Sequence, residues 1–79
     1  MKNRQMYMQF HKDYGCWLKV VGDYGKAMYP GESFHLLLGN KLRIPCRLKV
    51  AGQRLWYVEI GTEQVRLNLR MNEIYEIQF

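Results

Sequence analysis

The stretch KLRIPCRLKV, residues 41–50, alternates between apolar and polar side chains without interruption. One side holds the apolar row: Leu42, Ile44, Cys46, Leu48 and Val50. The other side holds four cations and a proline: Lys41, Arg43, Pro45, Arg47 and Lys49. A period of two is typical of a β-strand with one buried and one solvent-facing side. The pattern therefore predicts a central strand whose outward side is basic.

Shorter alternating segments run along the rest of the chain, separated by Gly, Asn and Asp. They predict further strands at 5–11, 16–21, 33–38, 54–60, 65–69 and 74–79. No stretch keeps a helical period for more than two turns, so the pattern favours an all-β fold. Strands this short must close or stack to bury one side. We expect a single domain, residues 1–79, forming a small five- to seven-stranded antiparallel SH3-like barrel, with an OB-like barrel as the alternative.

The apolar row of the central strand also predicts how its neighbours pair. A slip of one residue would move every side chain to the opposite face, so loops with an odd number of residues are favoured on both sides. The first loop pairs Leu36 with Ile44. The second loop, residues 51–53, pairs Leu48 with Trp56. The result is a three-stranded meander with one continuous apolar face.

Two features of the first half of the chain are less defined. Residues 22–26, GDYGK, predict a loop because two glycines, an Asp and a Lys fit poorly in a strand. The chain then crosses to the next strand through residues 27–32. The segment 16–21 is apolar on both sides, with Trp17 on one and Leu18 on the other, so the pattern leaves its orientation open. The roles of Cys16 and of residues 22–32 stay open as well.

Charge indicates the class of partner. The net charge is +5, with twelve Lys and Arg against seven Asp and Glu. In a small domain this favours an anionic partner, either nucleic acid or an acidic protein surface, although such charge can also serve solubility alone. No segment resembles a signal peptide, and no apolar run approaches the ~20 residues of a membrane span. We therefore expect a cytoplasmic protein with reduced thiols and no membrane partner.

The outward side of the meander is the predicted binding surface. Its candidate binding residues are cationic, aromatic or border the cations: Arg43, Arg47, Lys49, Tyr57, His35, Leu37, Arg66 and Arg70. The predicted pairing sets Arg47 opposite Tyr57 and Lys49 opposite Leu55. A tyrosine flanked by cations is a stacking platform for a nucleobase, and the same composition is typical of protein-binding hot spots. The simplest alternative is a solvated sheet face without a ligand.

Further cross-strand pairs on that surface are predicted between the strands 33–38 and 41–50. Arg43 is expected opposite Leu37, and His35 opposite Pro45. Arg66 and Arg70 extend the surface if their strand lies next to the meander. A thin core and exposed edge strands also make a homodimer a reasonable arrangement.

Metal binding and catalysis are not predicted. Four possible zinc ligands are present, His11, Cys16, His35 and Cys46, but no C-x₂-C or H-x₃₋₅-H spacing relates them. A nucleophilic cysteine needs a nearby histidine, whereas the predicted register puts His35 and Cys46 on opposite faces. The carboxylates are scattered singly, without a pair suited to acid–base chemistry. We expect a non-enzymatic protein without a cofactor.

Three segments in the middle of the chain resemble a known family. They are GESFHLL at 31–37, IPCRL at 44–48 and LWYV at 55–58. They are similar to small uncharacterised proteins carried by phages and mobile elements of Gram-positive bacteria. The resemblance implies a small β-barrel in a mobile-element setting and transfers no catalytic residue. It also supports an alternative function, in which the protein binds a host protein and inhibits or adapts it, for example to counter host defence.

Overall fold

The computed structural model describes residues 5–39, 42–52, 54–62 and 65–79, and the described part is all-β. It has eight strands: β1 (Met6–His11), β2 (Cys16–Val21), β3 (Tyr24–Ala27), β4 (Ser33–Leu38), β5 (Leu42–Ala51), β6 (Leu55–Ile60), β7 (Val65–Asn68) and β8 (Tyr75–Gln78). The all-β prediction is confirmed, and the described residues hold more strands than the five to seven expected. In the same ranges, no helix is long and apolar enough to span a membrane.

The strands form one antiparallel sheet in the order β3-β2-β1-β8-β4-β5-β6-β7. The order begins at β3 and ends at β7, so the sheet does not close within the described ranges. The last strand, β8, joins the two halves because it inserts between β1 and β4. Glu76 of β8 lies opposite Tyr7 on one side, and Gln78 lies opposite His35 on the other.

The strand that the sequence did not predict is β3. Residues 22–26 were expected to form a loop, but the turn is confined to Gly22 and Asp23, and Tyr24 already lies opposite Val21. Gly22 has a φ of 61°, the positive value that a tight hairpin turn needs at its first loop position. The loop prediction was wrong from Tyr24 onwards, since pairing with β2 overrides the weak strand propensity of YGKA.

The segment between β3 and β4 connects the two halves of the sheet. The backbone N–H of Met28 donates to the Trp17 carbonyl at 2.8 Å. A few residues later, the N–H of Gly31 donates to the Leu48 carbonyl at 2.7 Å. The segment therefore bonds to β2 at one end and to β5 at the other. Met28 is buried between these bonds and fills part of the core.

The buried apolar side chains form one cluster: Met8, Trp17, Met28, Phe34, Leu36, Cys46, Leu48, Trp56, Val58, Leu69 and Ile77. Trp17 has no exposed surface, so the structure assigns this side of β2 to the core and Leu18 to the outer side. The Phe10 ring links the halves of the sheet, with its centroid 5.6 Å from that of Trp17 and 6.3 Å from that of Trp56.

The pairing of β4 with β5 follows the sequence prediction, whereas that of β5 with β6 does not. Leu36 lies opposite Ile44 as expected. Leu48, however, lies opposite Val58, and Trp56 lies opposite Val50, two positions away from the prediction. A shift of two keeps every side chain on its face, so the hydrophobic pattern cannot exclude it.

The turn between β5 and β6 determines this two-residue shift in the pairing of the strands. Ala51 still pairs, with Leu55, so the connection begins at Gly52, and Gln53 of the predicted loop lies outside the described residues. Gly52 has a φ of 62°, a conformation that suits glycine far better than Ala51. The loop therefore begins one residue later than the predicted loop at 51–53.

Candidate nucleic-acid interface

The outward sides of β5, β6 and β7 carry what we call the basic face: Arg43, Arg47, Lys49, Tyr57 and Arg66. The strands themselves determine this placement. Cys46 and Leu48 are buried, so the alternate residues of β5 must point away from the core. Arg43, Arg47 and Arg66 are exposed, whereas Lys49 and Tyr57 are half-buried. The predicted outward cations Arg43, Arg47 and Lys49 are thus on one surface, and Lys41 lies outside the described residues.

The cross-strand neighbours on the basic face differ from the prediction. Lys49, and not Arg47, lies opposite Tyr57. Arg47 lies opposite Glu59, while Leu55, predicted opposite Lys49, pairs with Ala51. These expectations were wrong because β6 pairs with β5 two residues away from the predicted register. The tyrosine still has a cation beside it, but it is the ammonium group of a lysine.

Glu59 is a member of this surface that the sequence analysis missed. It lies opposite Arg47 on β5 and opposite Arg66 on β7. Its Oε1 is also 3.9 Å from Lys49 Nζ. The outward sides of β5 to β7 therefore hold four cations and one carboxylate within the described residues, a net charge of 4 − 1, or +3. The signal was present in the sequence, because Glu59 is two residues from Tyr57 and so shares its face.

The ion pair of Lys49 with Glu59 is only partly shielded from water. The two side chains are 36% and 32% exposed. Pairs of this kind contribute about 0–1 kcal/mol to stability. A phosphate group that approaches Lys49 therefore competes with a weak contact, and the lysine remains usable for binding.

Tyr57 is stacked against Arg66. The guanidinium Cζ of Arg66 lies 3.8 Å from the centroid of the Tyr57 ring. Arg66 therefore covers one face of the ring that was predicted to be open for a base. The pair forms a layered surface instead, and a planar guanidinium group held over an aromatic ring can itself stack on a base. β7 pairs with β6, so the condition under which Arg66 extends the surface is met.

The remaining predicted site residues, His35, Leu37 and Arg70, lie outside β5 to β7. Arg43 is opposite Leu37 and His35 is opposite Pro45, as expected. The Arg43 Nη1 also donates to Gln78 Oε1 at 3.1 Å, which orients the guanidinium without neutralising it. Arg70 follows the end of β7 and is exposed, and its backbone N–H donates to the Tyr75 hydroxyl at 2.9 Å.

Cysteine and histidine do not converge here. Cys46 faces the core, and burial raises the pKa of its thiol to about 11, with a backbone hydrogen bond to Leu36 acting in the opposite direction. His35 is on the outer side, as the predicted register required. His11 and Cys16 are cross-strand partners on β1 and β2. Across the described ranges, no group of three or more His, Cys, Asp or Glu is placed to hold a metal ion.

No family model matches the chain, and no curated protein or solved structure matches it. The resemblance to phage and mobile-element proteins therefore stays a prediction. Its segments at 31–37, 44–48 and 55–58 fall on or beside β4, β5 and β6, which are neighbours in the sheet. The function has to be inferred from the basic face itself.

Proposed function

We propose that this protein binds nucleic acid through the basic face, without catalysing a reaction on it. The observation that carries the proposal is the net charge of +3 on the outward sides of β5 to β7, four cations against one carboxylate. Phosphate neutralisation by Lys and Arg supplies most of the affinity of non-specific nucleic-acid binding. We also propose that the small all-β sheet is an SH3-like barrel, with the OB-like barrel as the alternative.

The residues of the basic face have different roles in this proposal. Arg43 and Arg47 are exposed and supply phosphate contacts. Lys49 supplies a weaker contact because it is shared with Glu59. Arg66 and Tyr57 form the stacking element for an unpaired base. The face therefore favours a ligand that presents both phosphates and accessible bases.

A matched pair of charge reversals tests the proposal. Arg47→Glu changes the centre of the basic face, and Lys26→Glu makes the same change in net charge on the exposed strand β3, at the far end of the sheet order. Anisotropy with a labelled single-stranded oligonucleotide at low salt measures the affinity. We expect Arg47→Glu to weaken binding by at least about tenfold and Lys26→Glu by less than about threefold. Equal effects of the two reversals would contradict a defined face.

A protein partner is the second candidate function. The stacked Tyr57–Arg66 pair favours it, and Leu55, on the same side of β6, is exposed. Tyr and Arg beside an apolar group have the composition of a hot spot. This candidate predicts that the protein retains one defined host protein from a cell extract and that Tyr57→Ala abolishes the retention. Retention that persists in Tyr57→Ala would remove the support for this function.

A further inference from the structure

A crevice opens at one end of the sheet, and none of the basic-face residues lines it. It lies where the turn after β1, the loop after β5 and the turn before β8 come together. Its lining residues are Phe10, Lys12, Gly15, Arg54, Trp56 and Met71. The volume is about 270 Å³. These residues are far apart in the sequence, so only the fold brings them together.

The inner part of the crevice is apolar and held in place by the core. The centroids of Phe10 and Trp56 lie 6.3 Å apart, with their rings tilted by 59°. The Phe10 ring also packs edge-on against Trp17, which is buried. Met71 is 42% exposed and forms a flexible side of the opening. The aromatic surface is therefore preorganised, which lowers the entropic cost of binding a flat group.

The opening of the crevice is positively charged. Lys12 and Arg54 are both exposed and both line it. No carboxylate is among the lining residues, which all belong to the described ranges. Asp13 belongs to an adjoining depression that also contains His11. An apolar interior with cations at its opening matches a ligand that joins a flat apolar group to an anion.

The size of the crevice restricts the occupant to one small group. Pockets for drug-sized ligands occupy about 300–1,000 Å³, and this crevice is smaller. Building on the proposed function, we propose that it holds one unstacked base of a single-stranded nucleic acid, whose neighbouring phosphates contact Lys12 and Arg54.

The basic face connects to the crevice along β6. Arg54 precedes Tyr57 by three residues, a distance of about 10 Å at the rise of a strand. Trp56 in the crevice faces the core whereas Tyr57 faces outward, so a single strand bound at the basic face reaches the crevice by passing around the Arg54 end of β6. In a duplex the bases are paired and stacked, and one would have to flip out before it entered the crevice. The crevice thus makes the protein selective for single strands.

Two substitutions separate the crevice from the surface around it. Met71→Glu places a carboxylate at the opening of the crevice. Ile74→Glu places the same group three residues further on, at a side chain that is 59% exposed and does not line the crevice. Both positions are exposed, so both variants are expected to fold, and circular dichroism verifies it. The probes are oligothymidylate and its duplex with oligodeoxyadenylate.

We expect the wild type to bind the single strand at least about tenfold more tightly than the duplex. Met71→Glu should lose at least about tenfold on the single strand and little on the duplex, whereas Ile74→Glu should lose less than about threefold on either. Equal single-strand affinities of the two variants, with binding still lost in Arg47→Glu, would overturn the crevice inference and leave the proposed function standing. Absence of binding to both probes would overturn both. If Met71→Glu weakened the binding of an acidic apolar peptide but not of the single strand, the crevice would be assigned to a protein ligand. That result would overturn the inference.

Discussion

Replacement of Trp56 by alanine tests the inward side of β6. Trp56 is 8% exposed and packs against Phe10, whereas its neighbour Leu55 is 70% exposed on the opposite side. Truncation of a buried aromatic side chain to alanine costs about 3–5 kcal/mol. Substitutions at exposed positions usually change stability by about 0.5 kcal/mol or less. We therefore expect Trp56→Ala to destabilise the protein strongly and Leu55→Ala to have little effect.

The size of the chain makes this difference easy to detect. At about 0.05–0.15 kcal/mol per residue, a domain of 79 residues has a free energy of unfolding of about 4–12 kcal/mol. Trp56→Ala would remove a quarter or more of it. At the lower end of this range, the variant would retain about 1 kcal/mol or less, so a measurable fraction would be unfolded without denaturant.

Urea unfolding followed by far-UV circular dichroism is the appropriate assay. Tryptophan fluorescence is less suitable because Trp56 is itself one of two emitting residues. The free energies of Trp56→Ala and Leu55→Ala are each compared with that of the wild type. A loss below about 1 kcal/mol for Trp56→Ala, or an equal loss for both variants, would refute the assignment of the two sides of β6.

Two further predictions concern the thiols. Burial raises the pKa of Cys46 from 9.0 to about 11, so the thiol ionises at lower pH in the unfolded protein than in the folded protein. The stability that the neutral thiol contributes is therefore complete below pH 9.0 and is lost as the pH rises to about 11. That loss is about 3 kcal/mol at most. Urea unfolding at several pH values in this range should show that the free energy of unfolding falls more steeply with pH in the wild type than in Cys46→Ala. Parallel dependences on pH would contradict the burial effect. Iodoacetamide at neutral pH should modify half-buried Cys16 before buried Cys46 in the native protein and both at similar rates in urea, as mass spectrometry of the peptides would show. Equal native rates would mean that Cys46 is accessible.

Alternation along the chain was sufficient to predict the fold class and one register. The unbroken row of 41–50 identified the inward side of β5, where Cys46 and Leu48 are buried although Leu42 at the strand's start is 56% exposed, and it paired Leu36 with Ile44 correctly. The register of β6 could not be derived in the same way. A period of two is unchanged by a shift of two residues, and the phase depends on the backbone conformation at Gly52.

The first half of the chain was less predictable because tertiary contacts decide it. The orientation of β2 was ambiguous because both of its sides are apolar, and the side that is buried carries Lys19 next to Trp17. The Lys19 ammonium group reaches the edge of the core, 3.9 Å from the Phe79 ring centroid and 3.8 Å from Glu32 Oε1. A long side chain can thus occupy a buried side while its charge stays near water.

For the basic face, the sequence predicted membership better than arrangement. The alternation of side chains along each strand identified the outward cations and Tyr57. The stacking of Arg66 on Tyr57 and the position of Glu59 between cations depend on how β6 pairs with its two neighbours. The crevice was not predictable, because Phe10, Trp56 and Met71 share no local pattern.

The salt dependence of single-strand binding tests the central claim most directly. If Arg43, Arg47 and Lys49 each neutralise one phosphate, the basic face should contribute about −2 to the slope of the logarithm of the association constant against the logarithm of salt concentration. Arg47→Ala removes one contact and should make the slope shallower by about 0.7, while Lys26→Ala should leave it unchanged. A slope near zero, or no binding at about 50 mM salt, would contradict the proposal that the basic face binds nucleic acid.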